Sequence, residues 1–149
     1  MKLTENDLKL INILCENART PSKSIAEALG IAPSTVAERI RKLEDAGVIQ
    51  GYRMDVDLSK LGRHLDVLIF VQLAHHTQDA IDSLMSSLIT EREVLRIDHT
   101  GGESDLVIHV SVIDTKHLRD WIFARLTNNK EVKSVRTSVL FGSLKQTRV

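Results

Sequence analysis

The sequence predicts an α+β chain in two parts: a helix-turn-helix unit, then a sheet unit of order β-α-β-β-α-β. Three observations predict it. Apolar residues keep helical spacing to about residue 47, strand alternation replaces it from Val48, and the order strand, helix, strand occurs twice after residue 64. The boundary is placed near Gly62, giving parts of residues 1–62 and 63–149, with 57–64 the stretch that reads most like a linker. Charge does not mark it, because the first part holds nine basic and nine acidic side chains and the second eleven of each. The 149 residues suffice for one ordinary domain or two small ones with cores of their own.

The first helix opens at Thr4, three residues before Asp7, a capping-box-like start with Asp where Glu or Gln is usual. Leu8, Ile11 and Leu14 then share one face, to about Asn17. Pro21-Ser22 restarts the chain with a good cap, Ile25, Ala26 and Leu29 form a short second stripe, and Gly30 accepts the left-handed conformation that ends it. Pro33 fits the first turn of a third helix, where a missing N–H is tolerated, and Val36, Ile40 and Leu43 follow before Gly47.

From Val48 to Val56 the alternation suits an extended strand, a wing or a tether. A strand over 66–74 follows, then a helix over 79–89 with Ile81, Leu84, Met85 and Leu88 on one face, and a strand over 94–100. The order repeats as a strand over 105–113, a helix over 116–126 carrying Leu118, Trp121 and Ile122, and a strand over 132–142, with Gly101-Gly102 as the tight turn between the halves. This is the order of a ferredoxin-like fold. In its first strand Leu65, Val67, Ile69, Val71 and Leu73 share one face, while Leu68 and Phe70 make the other apolar too. Two helices cover one side of a four-stranded sheet, so the other side is expected to meet a second copy of the chain, although scattered apolar residues on a half-exposed sheet are also common in monomers.

Composition removes several classes of function. No run approaches the ~18 apolar residues of a membrane span, and the N-terminus lacks the apolar block of a secretory signal, so the chain reads as cytoplasmic. Cys15 stands alone and reads as a packing residue. Twenty basic residues balance twenty acidic ones, so any DNA contact comes from local geometry and not from a large positive field. One Trp, one Tyr and three Phe are too few for the stacking platforms of single-strand or RNA modules.

With Val36 set to the core on a helical wheel, Ser34, Glu38, Arg41 and Lys42 of the third helix point outward, with Thr35 at the edge. Mixed polar faces are usually just solvated, but this one follows a short helix, a Gly turn and a first-turn Pro, where a recognition helix meets the major groove. Arg39 lies at the flank of the stripe, where an ion pair within the unit and a phosphate contact are about equally plausible. Lys23, on the second helix, is a weaker phosphate candidate. With about one net positive charge on the face, a single copy should bind duplex weakly, and two or more copies are needed.

The second part shows no nucleophile–base pair, Walker-type loop or paired carboxylates, and no catalysis or cofactor is expected of it. Its Gly101-Gly102-Glu103-Ser104-Asp105 loop reads first as a hairpin turn. Its amide groups could also cradle a carboxylate, with Glu103 and Asp105 facing an ammonium, chemistry suited to a free amino acid. The six histidines have no spacing that puts two on one side of an element, so no metal site is expected.

The strings Leu10-Ile-Asn-Ile-Leu-Cys-Glu-Asn-Ala-Arg19, Ile25-Ala-Glu-Ala-Leu-Gly-Ile-Ala-Pro-Ser-Thr-Val-Ala-Glu-Arg-Ile-Arg-Lys-Leu-Glu44 and Gly47-Val-Ile-Gln-Gly-Tyr52, with Gly102-Glu-Ser-Asp105 matching a G-x-x-D loop, resemble the Lrp/AsnC, or feast/famine, transcriptional regulators. The resemblance covers nearly the whole chain in order. It implies a helix-turn-helix that binds promoter DNA, a ferredoxin-like sensor domain that dimerises and often assembles to octamers, and an amino acid or related metabolite as effector, held near the G-x-x-D loop between neighbouring dimers. By position it assigns Gly102 and Asp105 to that loop and Thr137 to a threonine often found on the last strand. Ala32 stands where a capping serine is usual, Ser104 where an aromatic is frequent, and Val135 where a second hydroxyl is frequent. Two rival functions remain: an enzyme like the siroheme decarboxylases, which are built on the same two-domain plan, and a ligand-binding or architectural protein that coats DNA without operator preference.

Overall fold

The computed structural model describes residues 2–144 and 146. The chain divides into two compact units, residues up to Asp55 and Val56–Ser143. In the first, helices α1 (Glu5–Glu16), α2 (Ser22–Leu29) and α3 (Pro33–Asp45) pack around Leu10, Ile25, Ala26, Val36 and Leu43, with Leu3, Ile11, Leu14, Leu29, Ile40 and Ile49 half-buried against them. The capping box forms in full: Asp7 N–H donates to Thr4 Oγ1, and the Asp7 carboxylate accepts from the Thr4 amide at 2.8 Å and its hydroxyl at 2.6 Å. Gly30, at φ 65°, caps α2 in the left-handed region.

Three local expectations are corrected here. Cys15, read as a packing residue, is exposed. Ser22 is the first residue of α2, not its cap; Pro21 takes the cap position, and no side chain accepts from the helix amides. Residues 48–56 form no strand among the described residues. The amides of Val48 and Ile49 turn back to the Leu43 carbonyl instead, and alternation alone does not make a strand, which needs a ladder of paired backbone groups.

The second unit opens with a 3₁₀ turn, Leu58–Leu61, and then follows the order read from the sequence: β1 (Leu65–Leu73), α4 (Gln78–Leu88), β2 (Val94–His99), β3 (Leu106–Val112), α5 (Thr115–Ile122) and β4 (Val132–Val139). The strands form one antiparallel sheet of order β2-β3-β1-β4, with β1 pairing Ile69 to Ile108 on one side and to Thr137 on the other. A π-turn, Phe123–Thr127, continues α5, so the regular helix is shorter than the apolar spacing implied. The core lies under one sheet face, where Val67, Ile69, Val71 and Leu73 meet Leu106, Ile108 and Val110 and the inner residues of α4 and α5. Leu68 and Phe70 lie half-buried on the other face.

Candidate nucleic-acid interface and effector loop

α3 owes its outward face to its register. Val36 and Leu43 are fully buried, which turns Ser34, Glu38, Arg41 and Lys42 to solvent and leaves Thr35 half-buried. No side chain caps α3 at Ala32, and Pro33 starts it. Glu38 and Lys42, one turn apart, form an ion pair at 2.7 Å, and Lys42, through its hydrogen bond and its charge, holds the Glu38 carboxyl below the usual range. Lys23 is exposed on α2.

Arg39 faces inward. Its Nη1 donates to Asp7 Oδ1 at 2.6 Å and to Thr4 Oγ1 at 3.2 Å, joining α3 to the α1 cap, and the two charged side chains are 29% and 9% exposed. The Thr4 hydroxyl and amide and then Arg39 outweigh burial and hold the Asp7 carboxyl below its ordinary range. Of the two roles the sequence left open for Arg39, the structure shows the ion pair.

In the sheet unit, Asp105 sits where β3 begins, and both its oxygens are engaged. Oδ2 accepts from the Leu73 amide at 2.7 Å and Oδ1 lies 2.7 Å from His76 Nδ1. Burial pushes the carboxyl up, but the Leu73 amide and the His76 imidazole together outweigh it and hold it below its ordinary range. The turn before it is closed by Thr100, whose hydroxyl donates to the Ser104 carbonyl at 2.6 Å and whose amide donates to the Asp105 carbonyl at 2.8 Å. Gly102 takes φ 151°, a conformation in which a side chain would be strained. Glu103 lies 3.6 Å from Arg136 on β4, and Arg136 in turn lies 5.0 Å over the Phe70 ring. Thr137, next to Arg136, is exposed and pairs with β1, so that strand separates it from Asp105.

The loop residues Gly102, Glu103, Ser104 and Asp105 are therefore brought together, and Thr137 joins them only through its neighbour Arg136. His76 and Arg136 are the two contacts that sequence reasoning missed. Their partners are 29 and 33 residues away in the chain, so no local spacing points to them. Among the described residues, no group of three His, Cys, Asp or Glu side chains is placed to hold a metal ion, and no helix is long and apolar enough to cross a membrane.

The three-helix unit matches the family model of winged helix-turn-helix DNA-binding domains over residues 3–50. The Lrp/AsnC ligand binding domain matches residues 66–149. The HTH-type transcriptional regulator AldR of Mycobacterium tuberculosis (strain ATCC 25618 / H37Rv) is 33% identical over 144 residues, which cover 97% of this chain and 80% of AldR. The leucine-responsive regulatory protein of Rhizobium meliloti (strain 1021) is 28% identical over 145 residues, covering 97% of this chain and 93% of that protein. The solved structure of Escherichia coli AsnC superposes with a TM-score of 0.86 at 25% identity, covering 98% of this chain and 97% of AsnC. The chain belongs to the Lrp/AsnC family of transcriptional regulators.

Proposed function

We propose that the protein is a cytoplasmic, sequence-specific regulator that reads duplex DNA with α3 and responds to an amino acid or related small metabolite through its sheet unit. The observation that carries the DNA half is the outward polar face of α3 behind the Gly30 turn. Ser34, Thr35 and Glu38 meet base edges, Arg41 and Lys42 meet base edges or phosphate, and Lys23 adds a phosphate contact from α2. Arg39, held by Asp7, serves by fixing α3 against α1 and not by touching DNA.

The effector half rests on the family's ligand-binding domain and on a relative named for its response to leucine. Gly102, Glu103, Ser104, Asp105 and Thr137 form the proposed site. An effector ammonium takes the place of His76 at Asp105 Oδ1, while the Leu73 amide continues to hold Oδ2. Arg136, beside Thr137, offers a guanidinium for the effector carboxylate. The open sheet face around Leu68 and Phe70 joins two copies, which can assemble further to octamers. Effector binding shifts the population of assemblies because it favours one arrangement over another, with no catalytic step.

The test is a gel-shift series on the duplex upstream of the protein's own coding sequence, with sedimentation run alongside and each of the twenty amino acids added in turn. Discrete, phased footprints and a mobility or size change with at least one amino acid support both halves. Uniform, salt-sensitive coverage refutes operator recognition, and no change with any amino acid refutes the sensing half.

A further inference from the structure

Within the first three turns of α3 the outward face carries one carboxylate, Glu38; Asp45, exposed on the same side of the wheel, lies at the C-terminal end of the helix. Glu38 sits in the second turn, about 6 Å along the axis beyond Ser34 and about 6 Å before Lys42, so it occupies the middle of the surface that enters the groove. Its side chain and that of Lys42 are 55% and 61% exposed. A solvated pair of this kind adds little stability, so its position is what calls for an explanation. The adjacent Arg39 makes its ion pair with Asp7 at 2.6 Å, so the direct partner of Glu38 is Lys42.

A carboxylate carried between two rows of phosphates is repelled unless a base edge offers it a donor. The major groove offers two kinds, the amino groups of cytosine N4 and adenine N6. Beside adenine N6 lies the acceptor N7, which faces a carboxylate with a second lone pair; cytosine presents no acceptor beside N4 on its own groove edge. Resting on the reading of α3 as the recognition helix, we propose that Glu38 is the reader's specificity-determining residue. Its carboxylate accepts a hydrogen bond from the N4 amino group of a cytosine in each site, and on sequences without that cytosine it retains Lys42 and withholds the ammonium from phosphate. Engagement of the correct site then does two things at once: it satisfies Glu38 and releases Lys42 to the backbone.

The experiment selects bound duplexes from a random pool with the full chain, its Glu38→Gln variant and an Arg41→Ala, Lys42→Ala double variant. Glu38 is exposed, and far-UV circular dichroism checks that each variant keeps its helices. The wild-type protein is expected to enrich cytosine at one fixed position, with roughly ten-fold or greater loss of affinity when it is replaced. Glu38→Gln is expected to enrich adenine there, because an amide can donate to N7 while accepting from N6. It should also bind random duplex several-fold more tightly, with a salt slope steeper by about 0.9 as Lys42 is freed. A Glu38→Gln variant with unchanged base preferences and unchanged random-duplex affinity overturns the proposal, as does a wild-type consensus with no fixed cytosine. If the double variant loses affinity in either case, α3 is still the reader and only the role of Glu38 has failed. A wild-type protein that retains no duplex overturns the reader and this proposal together.

Discussion

Replacing Asp7 by alanine removes one carboxylate that holds three groups: the Thr4 amide at 2.8 Å, the Thr4 hydroxyl at 2.6 Å and the Arg39 guanidinium at 2.6 Å. An N-terminal cap contributes about 1 kcal/mol. A hydrogen bond to a charged group contributes about 1.5–3 kcal/mol when buried, and with Arg39 29% exposed the lower end applies. Asp7→Ala should therefore destabilise the helical unit by about 2–3 kcal/mol, a large share of what a unit of this size holds. The Arg39 Nε, already buried without a hydrogen-bond partner, would lose the pairing that keeps its guanidinium in place. The assay is a double-mutant cycle of Asp7→Ala and Arg39→Ala, read by urea unfolding and by amide exchange in α1 and α3, with a coupling of about 1–2 kcal/mol expected. Because the Asp7 carboxyl is held low in the folded state, its contribution is complete above the unfolded value of about 3.9 and is lost as pH falls through the folded value. A coupling below about 0.3 kcal/mol, or an Arg39→Ala protein of unchanged stability whose DNA affinity and salt slope both fall, would refute the reasoning and return Arg39 to the DNA contacts.

Alanine at both Arg41 and Lys42 should weaken binding to every duplex and flatten the slope of log affinity against log salt by up to about 1.8, measured by fluorescence anisotropy; an unchanged slope shows the wrong face was chosen. Asp105→Ala leaves the Leu73 amide without its acceptor and should cost the sheet unit about 1–3 kcal/mol in urea unfolding, whereas Asp105→Asn keeps an acceptor and should cost less while abolishing any amino-acid effect on assembly. The stabilisation from the Asp105 carboxylate, like that from Asp7, should fade only below about pH 4, in acid unfolding followed through Trp121. Phe70→Glu places a charge on the open sheet face and should shift sedimentation to single subunits at micromolar concentration; an unchanged size rules that face out as the interface.

Elements with an apolar face were legible because each face is a periodic signal within its own segment. α3 was recoverable from Val36, Ile40 and Leu43 alone, and β1 from five alternating residues. Contacts that join distant segments left no such trace. Arg39 stands at a wheel angle that suits either a partner or a phosphate, and only the fold brings Asp7, 32 residues earlier, within 2.6 Å. Asp105 was readable as a loop carboxylate, but that it already holds the Leu73 amide and His76 depends on β1 and β3 lying side by side. The alternation over 48–56 misled for a related reason: a strand is a property of two segments, and the sequence shows only one.

The charge arrangement ties the two halves of the proposed function together. A neutral chain brings three exposed cations to the proposed interface, Lys23, Arg41 and Lys42, and Lys42 is already paired with Glu38. If all three reach phosphate, one reader gains a salt slope of only about −2.7, too shallow for tight binding by itself at physiological salt. On the proposed function, added affinity comes from base contacts and from copies held together, since joining two readers makes the second contact intramolecular and can raise avidity by about 10²–10⁴. On the proposed function, a small molecule that alters how sheet units associate would control DNA occupancy without touching α3. An isolated reader strong enough to bind on its own would have lost that control, so weak single-copy binding is the condition under which a sensor on the other unit can act.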